Sequence, residues 1–507
     1  MNNTKKNILL VSPETPVTFW SFKHVLKFVR RKAAFPPLGL LTIASLLPRH
    51  WDKRLIDMDV EKLKEKDLQW ADYVFLGGMI VHKESIHAIL KRCKEAQRSV
   101  IAGGPVFTTG YEEFIDMVDH FVLDEAEITL PLFLKDLQEG VPKKIYTSGE
   151  RPHLGLTPIP SWDLINIKKY ATMSLQYSRG CPFNCEFCDI IIMNGRVPRL
   201  KSNQQMIAEL DALYQTGWRG AVFVVDDNFI GNKNQVKQFL PALSQWMRQK
   251  RNPFVFLTEA SVNLADDDEL IKLMVDAGFK KVFVGIESPC LESLEECSKF
   301  QNQNVDLAQA IRRIQNSGLE VMGGFIVGFD SDPLDIFEKQ IAFIQKSGIV
   351  VAMVGILGAL PKTKLYNRLK SEGRLLENWK GNNADGQGLN FVPKMNSAVL
   401  KEGYEKILTT IYSPKNYFNR IITFIKEYKP QQSLFDAHKS FSHIMAFIRS
   451  LWYLGVVWKH RFYYWKILAV GLCKYRQSFP MIVLLSIYGY HFSKLTDNLF
   501  LNSKSSK

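Results

Sequence analysis

"ELIKLMVDAG" (269–278) runs into "VFVGI" (282–286): a helix, a glycine, then a β-rich run. The same phrase occurs three more times. "MIAELDALYQTG" (206–217) precedes "AVFVV", "AIRRIQNSG" (310–318) precedes "VMGGFIV", and "IFEKQIAFIQKSG" (336–348) precedes "VAMVGI". Gly217, Gly278, Gly318 and Gly348 stand where a helix ends in the left-handed conformation that glycine adopts without a steric penalty. "SLQYS" (174–178) and "FVFLT" (254–258) add two strands, so about six βα units fill residues 166–370. That pattern predicts a full or partial βα barrel, with its working groups at the carboxyl ends of the strands.

Upstream, residues 1–140 carry short apolar runs suited to buried parallel strands: "NILLVS" (7–12), "DYVFLGGMIV" (72–81), "SVIAGGP" (99–105) and "HFVLD" (120–124). Between the second and third, Ile86, Ile89, Leu90 and Cys93 follow i, i+3, i+4, i+7, the pattern of a helix with one apolar face. Alternating strands and helices predict a doubly wound α/β domain, whose ligand sits beyond the carboxyl ends of its strands. Gly103 and Gly104 lie at one such end, where they either let a bulky ligand approach the backbone or form a tight turn. Residues 141–165, rich in Pro and Gly, read as a linker. Residues 371–507 show no strand alternation and read as a mainly helical extension.

A chain of 507 residues with 46% apolar content holds two to four domains with substantial cores. Seven scattered cysteines do not form a disulfide framework, and "KKNILLVSPE" has no signal-peptide character. Both features predict a cytoplasmic protein whose clustered thiols are metal ligands or catalytic groups. The net charge of +14 is uneven: residues 411–507 hold 14 Lys/Arg against 3 Asp/Glu, a net +11, which leaves +3 for the first 410 residues.

"RGCPFNCEFCDI" (179–190) places Cys181, Cys185 and Cys188 just after the first barrel strand. Closely held thiolates suit a soft metal centre. A structural zinc site would have a second Cys or His pair at similar spacing downstream, and no such pair is present. An iron–sulfur cubane takes four ligands, so three local cysteines leave one iron open to substrate or cofactor. Cys290 and Cys297, which follow the fourth strand, are candidates for a fourth ligand or for thiol chemistry.

C-x3-C-x-aromatic-C, written here as Cys181, Cys185, Phe187 and Cys188, resembles the signature of radical S-adenosylmethionine (SAM) enzymes. An α/β domain ahead of the barrel resembles the cobalamin-binding subclass. With "FWSFK", "FPPLGLLTIA" and "DDNFIGN", the pattern is most similar to the branch that contains hopanoid C-2 methylases. The resemblance spans residues 1 to about 410, and "TIYSPKNYF" carries it into the extension. It implies an α/β protein with a cobalamin-binding-like domain, a radical SAM barrel and a helical extension. It also implies a [4Fe–4S] cluster on the three cysteines, with SAM chelated to the open iron. Cleavage of that SAM would yield a 5′-deoxyadenosyl radical that takes a hydrogen from the substrate.

Matched position by position, the resemblance implies a SAM site of Phe187 (adenine), Asp226 and Asp227 (methionine amine), Glu259 and Ser261, Glu287 and Ser288 (ribose), and Gly324, Ile326 and Gly328 (adenine side). Met79, Val81, His82, Gly103, Gly104 and Pro105 match loops around a corrin. The D-x-H-x-x-G motif that supplies a histidine below cobalt is absent; His82 is either near the cobalt or a surface group.

The implied activity is cobalamin-dependent methylation of an unactivated carbon, with a hopanoid or other polycyclic lipid as substrate. A flavodoxin or ferredoxin would supply the electrons. Two alternatives stand beside it: a radical SAM enzyme performing a rearrangement or ring closure, and a non-enzymatic, metal-stabilised membrane adaptor. The stretch 447–492 mixes basic residues with aromatics but has no charge-free run long enough to span a bilayer. It reads equally as an interfacial membrane contact on the inner face or as a cap packed on the barrel. No RNA-binding motif accompanies it, so no nucleic-acid partner is expected.

Overall fold

The computed structural model describes residues 5–376, 381–382, 389–429 and 441–504. The expected terminal regions also include 1–4, 377–380, 383–388, 430–440 and 505–507, which lie outside the described residues.

The amino-terminal sheet is built from β1 (Asn7–Ser12), β2 (Asp52–Asp57), β3 (Tyr73–Gly77), β4 (Ser99–Gly103), β5 (His120–Val122) and β6 (Ile145–Tyr146). Its order is β2-β1-β3-β4-β5-β6 and every pair is parallel. A parallel sheet must bury both faces, and β1 shows how its sequence does so. Ile8 and Leu10 enter the larger core, while Leu9 and Val11 enter a second core on the opposite face. Helix Lys83–Glu95 covers that second face with Ile86, Ile89, Leu90 and Cys93. Two strands escaped the apolar-run reading. β2 ("DKRLID") buries only its last three residues, and β6, inside 141–165, is a two-residue edge strand paired to β5.

β7 (Met173–Leu175) opens the second sheet, and the short antiparallel pair β8 (Ser178–Arg179) and β9 (Arg199–Leu200) brackets the cysteine loop. β10 (Gly220–Val224), β11 (Phe254–Ala260), β12 (Phe279–Glu287), β13 (Glu320–Val327) and β14 (Ala352–Ile356) complete it. The parallel order β14-β13-β12-β11-β10-β7 leaves β7 and β14 as edges: a six-stranded partial barrel. Gly217, Gly278, Gly318 and Gly348 all have positive φ, between 69° and 101°. Along β11 the buried Phe254, Phe256, Thr258 and Ala260 alternate with Val255, Leu257 and Glu259, so Glu259 is on the lumen side.

Helices Ser397–Ile411, Pro414–Glu427, Phe441–Trp452, Arg461–Lys474 and Phe479–Lys504 form the extension. It packs near the amino ends of β12, β13 and β14. Tyr412 donates to the Ala352 carbonyl at 2.6 Å, and Lys281, paired with Glu320 at 2.9 Å, sits over the Tyr488 ring. The last helix also holds the segment after β1: Phe492 stacks on Phe19 at 4.6 Å, and Trp20 in turn meets Phe283 edge-on at 5.1 Å. Among the described residues, no helix is long and apolar enough to cross a membrane.

Candidate active site

The carboxyl edges of the two sheets face each other. Glu125, just after β5, and Glu127 meet Arg179, just before the cysteines; Arg179 pairs with each at 2.8 Å. Arg199 on β9 joins Glu125 at 2.7 Å, and Thr157 donates to Glu127 at 2.6 Å. Beyond β14, Lys362 donates to the Thr108 carbonyl in the short helix after β4, at 2.6 Å. Charges this buried persist only when paired. Accordingly, Arg179 holds the Glu127 carboxyl below its ordinary range despite a desolvation that pushes the other way.

The cysteine loop hangs from β7 by two aspartates at the end of β10. Asp226 is buried and accepts from the Tyr177 N–H (2.7 Å), the Ser178 N–H (2.8 Å) and the Ser178 hydroxyl (2.6 Å). Asp227 accepts from the Gly180 N–H at 2.8 Å and from Asn194 at 2.9 Å. Burial pushes the Asp226 carboxyl up to about 7, against the pull of the Ser178 bonds, and also raises Asp227. Gly180, at φ 99°, has three carbonyl oxygens within 3.2 Å of where a Cβ would sit, so the tight loop before Cys181 requires glycine. Below the loop, the Glu186 N–H donates to the Cys297 carbonyl at 2.9 Å, and Arg368 clasps Glu186 at 2.7 Å.

The three thiols suit an iron–sulfur cluster. Cys185 is buried and Cys181 and Cys188 are half-buried; burial raises the Cys181 and Cys188 thiols, and the nearby Cys185 sulfur adds to both. Among the described residues, no three Cys, His, Asp or Glu side chains converge as around a single ion. A cubane, which takes its cysteines on separate irons, does not require that convergence. Side chains that can support thiolate sulfurs are in place. Asn228 reaches toward Cys181 at 4.0 Å, Gln301 toward Cys185 at 3.9 Å, and the buried Lys299 ammonium lies near both. These three were missed in the sequence reading. Asn228 stood in the quoted "DDNF", but Lys299 and Gln301 are more than a hundred residues from the cysteines. Cys297 is also nearby, but its thiol donates to the Leu294 carbonyl.

The remaining expected SAM residues surround this loop in different states. The Glu259 carboxylate faces the lumen without a protein hydrogen-bond partner among the described residues, and burial beside Asp227 and Asp226 pushes it up to about 8. Ser261 accepts from Asn228 at 3.2 Å. Glu287, at φ 63°, is paired with Lys299 at 2.7 Å, and Ser288 accepts from the Cys290 N–H. Phe187 and Ile326 pack at the edge of a small apolar cluster with Phe329. A Cβ on Gly324 would meet the Phe283 ring at 2.8 Å, and Gly328, at φ 104°, donates to Asp332. Thus Asp226, Asp227 and Glu287 are engaged by protein, and Glu259 is the carboxylate left facing the lumen.

On the opposing domain, Gly103 and Gly104 are glycines for different reasons, close approach at the first and backbone conformation at the second. A Cβ on Gly103 would lie 2.5 Å from the Val122 carbonyl, and Gly104 has φ 90°. Pro105 starts helix Pro105–Gly110, Met79 is exposed and Val81 half-buried. His82 is buried; its Nδ1 accepts from the Met79 N–H at 3.1 Å and its Nε2 meets the Thr15 hydroxyl at 3.3 Å. It is therefore not the surface group considered from the sequence, and both ring nitrogens meet protein groups in this fold.

The profile of the radical SAM superfamily matches residues 175–344, and a domain of unknown function, DUF4070, matches 363–503. Over 487 residues the chain is 40% identical to an uncharacterized methyltransferase of Synechocystis sp., covering 96% of this chain and 91% of the relative. It is 37% identical over 378 residues to hopanoid C-2 methylase of Rhodopseudomonas palustris, covering 74% and 72%. Among solved structures, it resembles the cobalamin-dependent SAM radical enzyme OxsB, at TM-score 0.64 and 16% identity over 99% of this chain and 81% of that one. The radical SAM methyltransferase TsrM of Kitasatospora setae is similar at TM-score 0.58 and 14% identity, over 73% and 78%. The protein is a radical SAM enzyme. Within that class it belongs to the methyltransferase family that includes the hopanoid C-2 methylase.

Proposed function

We propose that this protein is a cobalamin-dependent radical SAM methyltransferase that methylates an unactivated carbon of a polycyclic lipid, a hopanoid or a close relative. The observation that carries this reading is the opposition of the two carboxyl edges. A three-cysteine loop on one faces a glycine-backed, doubly wound sheet edge on the other, and Arg179, Glu125 and Glu127 lock the pair. Cys181, Cys185 and Cys188 hold the [4Fe–4S] cluster, and the Gly103–Gly104 edge receives cobalamin. When bound, the cluster supplies the electron that cleaves SAM, and cobalamin carries the methyl group.

The chain's own residues position and exclude. Asp226 and Asp227 fix the loop that presents the thiolates, Lys299 offsets their charge, and the Asn228 amide donates toward Cys181. Phe187 and Ile326 form an apolar wall for the adenine. Glu259 is the acceptor available to the SAM ammonium. Trp20, packed on Phe283 and bonded to the Met353 sulfur, closes part of the lumen with apolar surface that suits a hydrocarbon skeleton. Electrons come from a small flavodoxin- or ferredoxin-type donor, and residues 411–507 bring the enzyme to the inner membrane face, where such a lipid dissolves. A non-methylating radical reaction and a metal-stabilised adaptor are not favoured, because methyltransferase kinship extends over nearly the whole chain. The test is expression in a host that makes unmethylated hopanoids. The wild type yields a lipid heavier by one CH2 and Cys185→Ala does not; an unchanged lipid profile with an intact cluster would refute the substrate class.

A further inference from the structure

The outer face of the extension is apolar where a packed cap would be polar. In helix Phe441–Trp452 and the turn after it, Ile448, Trp452 (60% exposed) and Val457 point outward. In helix Arg461–Lys474, Phe462 (71% exposed), Trp465 and Leu472 share one face, which adjoins the buried face of Tyr464, Ile467 and Leu468. The two rows are joined: Trp465 lies over Gly455 and donates to its carbonyl at 2.9 Å, beside Val456 and Val457. The inner faces of these helices are fully engaged. Ser450 meets the Tyr464 hydroxyl at 2.7 Å, and Arg449 donates to the Phe28 carbonyl at 2.7 Å. The patch is thus held rigidly on the catalytic body.

Charge identifies the occupant. Between 441 and 496 the chain has seven Lys/Arg and no Asp/Glu. Arg461, Lys466 and Lys474 are exposed in the same helix as Phe462 and Trp465. Exposed indoles and phenyls ringed by cations fit the headgroup boundary of an anionic bilayer, where aromatic side chains insert and cations find phosphate. We propose that Trp452, Phe462 and Trp465 dock the enzyme on an anionic phospholipid surface, with Arg461, Lys466 and Lys474 at the headgroups. This rests on the reading of a membrane-dissolved lipid substrate and defines the surface that reaches it.

The test uses the full-length, cluster-reconstituted protein and phosphatidylglycerol-rich or purely phosphatidylcholine vesicles, with no turnover. Loss of vesicle binding therefore does not bear on methylation, which is read separately as S-adenosylhomocysteine formed together with methylated lipid. The wild type co-sediments with anionic vesicles and less with neutral ones. Binding falls in high salt as the charge contribution is screened, without vanishing. Ile448→Ser/Trp452→Ser/Phe462→Ser loses the salt-resistant part. Arg461→Gln/Lys466→Gln/Lys474→Gln lowers anionic binding by roughly fivefold per charge lost, corresponding to about 1 kcal/mol each. Unchanged melting of both variants confirms that they are folded; a variant that melts lower is replaced by Phe462→Ser or Lys466→Gln alone. Equal binding by wild type and variants would overturn the proposal. So would a concentration-dependent dimer that the apolar variant abolishes without any vesicle binding by the wild type, since the patch would then join two copies of this chain.

Discussion

A single carboxylate, Asp226, organises the entrance to the cysteine loop by accepting three hydrogen bonds. Asp226→Ala would leave those donors without partners in a dry site, and each unmade buried bond costs about 1–3 kcal/mol. We predict that this variant melts several degrees lower and binds less iron after reconstitution, with Asp226→Asn intermediate because its amide oxygen still accepts. Full iron content and unchanged melting in Asp226→Ala would show that the loop holds itself. Cys181, Cys185 and Cys188 were legible because their chemistry is carried by local spacing. The role of Asp226 was not, since "VVDDNF" shows a strand end but not which way its carboxylate turns. His82 illustrates the same limit, as only the fold shows Thr15 and the Met79 N–H occupying its ring.

At the scale of elements, the repeated helix–glycine–strand phrase was readable because the constraint is local: a helix must end, and glycine ends it at positive φ. β2 was unreadable for the opposite reason. It is an edge strand, half exposed, and four of the six residues of "DKRLID" are charged. The bridge from Arg179 to Glu125 and Glu127 spans 52–54 residues of sequence, and no periodicity announces it. That bridge makes a sharp energetic prediction. Arg179→Met leaves Glu127 buried and uncompensated, a loss of about 3–5 kcal/mol for a broken buried pair. Adding Glu127→Gln removes the stranded charge, so the double variant should be more stable than Arg179→Met alone. Chemical denaturation of the four proteins in the cycle checks this. Additive losses would mean that the residues do not act as a pair.

At the scale of the molecule, two parallel sheets present their carboxyl edges to each other, and a helical extension braces the barrel from its amino end. The extension's inner contacts, Phe492 on Phe19 and Tyr412 on Ala352, explain why its sequence is apolar, and its outer face carries Arg461, Lys466 and Lys474 beside exposed apolar side chains. The sequence pattern allowed either a cap or a membrane contact. The structure assigns the cap to the inner face and leaves the outer one apolar, a division that needs the helices' orientation to be seen. The central claim is that these facing edges join radical formation to methyl transfer. It is tested most directly by anaerobic turnover with SAM carrying a deuterated methyl group, with lipid product, S-adenosylhomocysteine and 5′-deoxyadenosine measured together. The account predicts a lipid that has gained an intact deuterated methyl group, with S-adenosylhomocysteine and 5′-deoxyadenosine formed in equal amounts. A substrate-dependent yield of 5′-deoxyadenosine without S-adenosylhomocysteine and without label in the lipid would contradict it.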